Sequence, residues 1–108
     1  MNPDDDSERR VLAHLNRLGV PFEIVPIDPA FADTASFCAQ YGFPMANSAN
    51  TIIVASRKAP KAYAACVVQA TSRLDVNHRV ADLVGVKRLS FADAEETAGL
   101  TGMMIGGV

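Results

Sequence analysis

The sequence predicts a single α/β domain of the α+β kind, with a mixed, mostly antiparallel central sheet flanked by helices. Segments with the helical spacing of apolar residues alternate along the chain with short β-rich segments. Two apolar runs of strand length are separated by a short polar segment, which is typical of an antiparallel hairpin. With 108 residues, the chain can form one hydrophobic core and is too short for two domains.

The first predicted element is an amphipathic helix over residues 7–18. Ser7 is a suitable N-cap, and Gly19 is placed to end the helix. Apolar side chains recur on one face between them, at Val11, Leu12, Leu15 and Leu18. Residues 1–6 are acidic, and we expect them to be disordered.

The second and third predicted elements are an edge strand and a short helix. Residues 22–27 are rich in β-branched and aromatic side chains, and Pro26 restricts such a strand to the edge of a sheet. Asp33 and Thr34 are N-cap candidates for a short helix that ends at Gly42.

Two further strands are predicted at 51–55 and 63–68, joined by a solvated loop over 56–61. We expect this pair to form the centre of the sheet. Asp75 then begins a helix that ends at Gly85, and 87–89 is short and extended. The spacing predicts a last helix with Ser90 as its cap, followed by a glycine-rich segment.

Composition excludes several classes of protein. The net charge is −2 and 49% of the residues are hydrophobic, which is typical of an ordinary globular domain rather than a disordered or polybasic chain. No apolar run approaches the length of a membrane span, and the acidic start does not resemble a secretory signal. We therefore expect a cytoplasmic protein that does not contact membranes.

The cysteines and histidines lack the spacing of metal or disulfide sites. Cys38 and Cys66 are isolated, and we expect both to be reduced and inert, with Cys66 buried in its strand. His14 and His78 match no ligand pattern. We expect neither a metal nor a cofactor.

The last eight residues, 101–108, include three glycines, Gly102, Gly106 and Gly107. A glycine-rich segment after a helix allows backbone N–H groups to converge on a carboxylate, a phosphate or a developing oxyanion. A loose terminal segment is the alternative interpretation.

The order of elements, together with particular residues, resembles the YbaK/ProX family of aminoacyl-tRNA editing domains, also called prolyl-tRNA synthetase-associated domains. The final block is the specific part, because a leucine-threonine-glycine followed by glycine-glycine-valine forms the loop that holds the 3′ end of the charged tRNA in that family. The segments that carry the resemblance are Leu18–Pro21, Ala35–Tyr41, Ser48–Thr51, Ala64–Val68, Arg73–Asp75, Ala94–Thr97, Leu100–Gly102 and Gly106–Val108.

The resemblance implies a trans-acting deacylase that hydrolyses the ester of mischarged tRNA and so serves translation fidelity. Water would attack the ester without a serine or cysteine nucleophile, and the glycine loop would stabilise the oxyanion. The implied partners are the acceptor end of aminoacyl-tRNA and an aminoacyl-tRNA synthetase. The implied catalytic residues are Gly102, Gly106 and Gly107, and the implied substrate-binding residues are Asn50, Thr51, Thr101, Ile105 and Val108.

Two departures from the family pattern leave alternatives open. Many members have a lysine where this chain has Asn50, which can donate a hydrogen bond but has no charge. Asn50 could instead be a turn residue at the start of a strand. The family also continues beyond glycine-glycine-valine, so we expect 1–108 to represent roughly the N-terminal two-thirds of the domain, with open sheet edges through which copies could associate.

Three functional hypotheses therefore remain at this point. The first is the deacylase, with a small acyl group if Met45, Ile53 and Met103 crowd the pocket. The second is a catalytically inactive module that binds aminoacyl-tRNA or a synthetase, and the third is a nonfunctional remnant. Basic residues in the 56–61 loop and in the later helices give only slight support for a tRNA partner, because no aromatic side chains alternate with them.

Overall fold

The computed structural model describes the backbone of residues 3–103 and the side chains of residues 6–103. Short 3₁₀ turns at Pro29–Phe31 and Met45–Asn47 flank α2, and a π-helical turn at Val76–Val80 leads into α3. The helices are α1 (Pro3–Leu18), α2 (Thr34–Tyr41), α3 (Ala81–Val84) and α4 (Ala94–Thr101), and the strands are β1 (Ala49–Ser56), β2 (Tyr63–Gln69) and β3 (Leu89–Phe91).

The described strands form one antiparallel sheet in the order β2-β1-β3. β1 pairs with β2 over Ala49–Ala55, in a register that places Ile52 opposite Cys66. β1 pairs with β3 only over Val54–Ser56. The mixed α/β class, with an antiparallel sheet and four helices, is thus as predicted. The hairpin is also as predicted, but only β1 is central, since β2 has no second partner among the described strands.

The hydrophobic core lies on the face of the sheet covered by the helical segment 76–84. Val54 is completely buried there and packs with Val80, Ala81 and Leu89. Burial alternates along β2, as expected for a strand with one face against a core. Cys66 is on the inward face and packs against this cluster, but it is only partly buried rather than fully enclosed.

The predicted strand at 22–27 is wrong. Its residues have no regular secondary structure and pair with no described strand. Pro21 and Pro26 lack the backbone N–H that a ladder requires, and this explains how a β-rich segment remains outside the sheet. Its apolar side chains stay partly exposed, with Val25 at 37% and Ile27 at 39%.

The N-terminal ends of two predicted helices also differ from the structure. α1 begins at Pro3, so residues 3–6 are helical rather than disordered. Ser90 does not cap the last helix, because it lies in β3 opposite Ala55. The N-cap is Asp93, whose carboxylate accepts from the Glu96 N–H at 2.7 Å, and the Glu96 side chain in turn accepts from the Asp93 N–H in a capping box.

The middle helices agree with the sequence. Asp33 caps α2 and Gly42 ends it in a left-handed conformation. Asp75 caps the 76–84 segment and Gly85 ends it, although its first turn is π-helical. None of the described helices is long and apolar enough to cross a membrane.

The burial of β1 leads to a stability prediction. Val54→Ala should lower the free energy of unfolding by about 2 kcal/mol, because two methyl groups leave a site that is completely buried. Val67→Ala, on β2 at 72% exposure, is the matched control and should change stability by less than about 0.5 kcal/mol. Urea unfolding followed by circular dichroism measures both, and equal losses would contradict the assigned core.

Candidate functional site

A cavity of about 780 Å³ opens beside the first half of β1. β3 pairs only with the second half of β1, so the edge of the first half lacks a sheet partner on that side among the described strands. Residues 49–53 of β1 therefore line the cavity in succession, rather than every second one. The opposite walls are the start of α2, the irregular segment at 25–27, the end of β3 and Thr97 of α4.

The polar end of the cavity is formed where α2 meets the start of β1. The Thr34 hydroxyl donates a hydrogen bond to Asn50 Oδ1, joining the first residue of α2 to the second residue of β1. The Asn50 amide nitrogen has no hydrogen-bond partner among the described residues. It is thus a donor held at a defined position and available to a ligand oxygen.

Asp33 adds a negative charge beside this pair. Its carboxylate caps α2 by accepting from the Ser36 N–H at 3.0 Å. That backbone hydrogen bond, followed by one from the Ser36 side chain, lowers the pKa of Asp33 below its ordinary value of 3.8. The carboxylate is therefore ionised at neutral pH, and no described basic group lies within ion-pair distance of it.

Aromatic rings form much of the apolar wall. Phe37 of α2 and Phe43 are stacked, with ring centroids 5.1 Å apart and an interplanar angle of 13°. Phe91 of β3 lines the same cavity and is 64% exposed. Flat surfaces of this kind suit a nucleobase, which stacks on aromatic side chains.

The described lining contains no histidine, cysteine, lysine or arginine. Ser48 is the only lining serine, and its hydroxyl donates to the Pro44 carbonyl at 3.1 Å and contacts Cys38 Sγ at 3.2 Å. A serine nucleophile with a neighbouring base is therefore not formed by these residues. Among the described residues, no group of His, Cys, Asp and Glu side chains is placed to hold a metal ion.

The predicted site residues separate into three groups. Asn50 and Thr51 line the cavity together. Thr101 instead lines a second cavity, of about 500 Å³, between α1 and the end of α4. Ile105, Gly106, Gly107 and Val108 lie outside the described residues.

Gly102 ends α4 and connects it to α1. It is in the left-handed conformation, with φ of 71°, and its N–H donates to the Ala98 carbonyl at 2.8 Å. Its own carbonyl accepts from the buried Ser7 hydroxyl at 3.1 Å. The Gly102 N–H is thus engaged in the helix cap, and a free amide for an oxyanion would have to come from another residue.

The three residues predicted to crowd the acyl pocket also do not lie in one cavity. Of the three residues expected to crowd the pocket, Ile53 lines the β1 cavity, whereas Met103 lines the second cavity and Met45 lines neither. Ile53 is buried in the central strand, so it is a fixed part of the wall.

Comparison with known proteins places this chain in a family. The model of the aminoacyl-tRNA editing domain matches residues 28–108, which is well over half of the chain. The chain belongs to the aminoacyl-tRNA editing domain family. The sequence-based resemblance to the YbaK/ProX family is thereby confirmed. No curated protein shows significant similarity to the chain.

A solved structure shares the fold of this editing domain. The crystal structure of the hypothetical protein APE2540 superposes with a TM-score of 0.75 at 26% sequence identity. The match covers 91% of this chain and 63% of that one, so this chain spans less than two thirds of the solved protein.

Sequence reasoning missed Asp33, Thr34 and the phenylalanines of this editing domain as site residues. Asp33 and Thr34 were identifiable only as helix caps, which is also their structural role. An Asp-Thr pair before a short helix, ahead of an Asn at the start of a strand, carries no distance information. The available signal was the presence of polar residues at the start of α2 and at the start of β1, two ends that the short connection over 42–48 could bring together.

The link between α4 and α1 leads to a second stability prediction. Gly102→Ala should destabilise the domain by more than Gly85→Ala. Both glycines are left-handed C-caps, and each alanine should cost about 1 kcal/mol for its conformation. Only at Gly102 would the new Cβ also lie 2.8 Å from Ser7 Oγ, since nothing lies within 4 Å at Gly85.

Thermal unfolding of the two variants measures this difference. Gly102→Ala should cost less in a Ser7→Ala background than in the parent, because the clashing hydroxyl is absent there and alanine keeps the helix propensity of α1. Equal losses at Gly102 and Gly85 would mean that α1 does not approach α4 this closely.

Proposed function

We propose that this editing domain hydrolyses the ester of mischarged aminoacyl-tRNA in trans, in the cytoplasm, after a synthetase has released the tRNA. The carrying observation is the Thr34–Asn50 pair at the polar end of the β1 cavity. Family membership supports aminoacyl-tRNA as the substrate. The neutral hydrogen-bond donor at position 50 takes the place of the lysine that many members of the family have.

The cavity has room for the terminal adenosine together with the amino acid. Its volume of about 780 Å³ lies within the range of pockets that hold drug-sized ligands. The adenine would stack on the exposed aromatic wall formed by Phe37, Phe43 and Phe91. The acyl side chain would then meet Ile53, which favours a small amino acid.

The free Asn50 amide nitrogen would donate to the carbonyl oxygen of the ester. Water attacks the carbonyl carbon, and the oxygen gains negative charge, so a fixed donor stabilises the transition state more than the ground state. The carbon–oxygen bond to the ribose then breaks, and the ribose oxygen takes up a proton. The products are a free amino acid and an uncharged tRNA. Gly106 and Gly107 remain predicted donors to the same oxygen, whereas the Gly102 N–H is already used.

Asp33 would bind the α-ammonium group of the esterified amino acid. Its ionised carboxylate lies beside Thr34 and has no basic partner among the described residues. An ammonium group is the one positive charge that every aminoacyl ester carries close to its carbonyl. Asp33 and Asn50 would therefore position the substrate from two sides of the reacting carbon.

Asn50→Ala tests the proposed hydrolysis. We expect kcat/KM on Ala-, Cys- or Ser-charged tRNA to fall by ~10²-fold, the usual effect of losing one oxyanion donor. Gln40→Ala removes an amide from the exposed side of α2, which does not line the cavity, and should leave activity unchanged. Phe-charged tRNA should be a poor substrate because of its large side chain.

Other outcomes separate this proposal from its alternative. Inactivity of the parent protein on every ester, with tRNA binding retained, would indicate a binding module rather than an enzyme. Asn50→Lys would then be informative, because restoring the charge should give hydrolysis to an inactive binder. A working enzyme should instead lose activity or change its substrate. Co-purification with a synthetase tests whether such a partner is used.

Asp33→Asn tests ammonium recognition. Asparagine keeps an oxygen that can cap α2 but has no charge, so KM for aminoacyl-tRNA should rise roughly fivefold, as expected for an exposed ion pair. N-acetylated aminoacyl-tRNA lacks the ammonium and should be hydrolysed equally by both proteins. The same rise in KM for both substrates would show that Asp33 acts through the helix alone.

A further inference from the structure

The second cavity is a groove between α1 and the end of α4 that the deacylation mechanism does not use. Its volume is about 500 Å³. One wall is α1, and the other is formed by Thr101 and Met103 at the end of α4. Ser7 holds the walls together through its 3.1 Å hydrogen bond to the Gly102 carbonyl.

Basic residues, two of them arginines, line the α1 side of this groove. Arg10, His14 and Arg17 are at positions i, i+4 and i+7, so they form one row along the helix. The row extends about 10 Å along the helix axis. All three side chains are exposed, and no described carboxylate is within ion-pair distance of them. Asp6 lies one turn before Arg10 but is not part of the groove lining.

α4 connects this row to the β1 cavity. Thr97 lines the cavity and Thr101 lines the groove, one turn later on the same helix. The Thr101 hydroxyl donates to the Thr97 carbonyl at 2.7 Å, which fixes the orientation of its side chain. The two lining threonines are about one helical turn apart along α4. A ligand whose end enters the cavity could therefore cross α4 and reach the groove beside α1.

We propose that the Arg10–His14–Arg17 row binds the sugar-phosphate backbone of the tRNA acceptor stem, while the aminoacylated 3′ end occupies the β1 cavity. This inference rests on the proposed function. Two arginine cations on one helix face, with an imidazole N–H donor between them and no ion-pair partner among the described residues, match successive phosphates. The described lining contains neither Phe, Tyr nor Trp, so the contact would position the RNA without reading its sequence.

The test is the salt dependence of RNA binding. Fluorescence anisotropy with an RNA acceptor-stem hairpin that carries no amino acid measures the affinity of the whole chain for RNA at several salt concentrations. For Arg10→Ala/Arg17→Ala, the slope of log K against log salt should become shallower by about 2, since each phosphate contact contributes about 1. Affinity should be equally reduced for hairpins of different sequence.

Arg73→Ala/Arg79→Ala is the matched control. It removes two exposed arginines near the 76–84 segment, away from the groove lining, and produces the same change in net charge. This control should retain the parent slope. Thermal unfolding checks that both double variants are folded, and Arg17→Glu offers a single substitution that should weaken binding further than Arg17→Ala.

Each result decides the proposal. Equal changes in slope for the two double variants would overturn it, because general charge would then explain binding. It would also be overturned if the parent bound no RNA, or if the groove variant bound RNA with the affinity of the parent. The hairpin carries no amino acid, so its binding does not depend on hydrolysis. If the row binds RNA but the protein hydrolyses no ester, the proposed deacylase activity is wrong and the proposed RNA-binding row stands.

Discussion

The unequal pairing of β1 is the constraint on which the rest of the structure depends. β2 pairs with this strand over Ala49–Ala55, whereas β3 reaches only Val54–Ser56. The doubly paired half carries Val54 into the core, where no water can compete for its backbone groups. The other half has one open edge, and the cavity is formed there. The core and the candidate site thus use successive parts of a single strand.

The chemistry of the cavity depends on the ends of two elements. Thr34 begins α2 and Asn50 lies near the start of β1, and the hydrogen bond between them holds an amide donor in place. Asp33, one residue earlier, uses its charge first to cap the helix. A capping carboxylate is stabilised in its ionised form by the N–H groups it accepts from, so a structural requirement of α2 also supplies the cavity with a negative charge.

α4 is held at both ends, and this gives the proposed binding surfaces a defined separation. At its start, Glu96 completes the capping box and lies 3.4 Å from Lys61 of the hairpin loop. At its end, Gly102 is tied to Ser7 of α1. An exposed ion pair contributes little stability by itself, up to about 1 kcal/mol. Together with the caps, however, it keeps Thr97 and Thr101 in register with the cavity and the groove.

Short sequence patterns were sufficient to predict most of the helices and strands. The hairpin followed from two apolar runs and a polar loop, and α2 from its capping Asp33 and its terminal Gly42. The segment at 22–27 has the composition of a strand, yet strand formation requires a partner and free N–H groups, and its prolines reduce the latter. Ser90 and Asp93 are both good caps by type, and the pairing of Ser90 with Ala55 decided between them.

By itself, the sequence determined the fold class, the antiparallel hairpin and the family, and it predicted Asn50 as a site residue. Periodicity, capping residues and family motifs are encoded over short stretches of chain, so they can be read without coordinates. Only the tertiary structure decided that Thr34 meets Asn50, that Asp33 and the phenylalanines share their cavity, and that Thr101 faces a groove lined by cations of α1. Those contacts join residues far apart in the chain, and their geometry is set by strand register and helix packing, which no local pattern specifies.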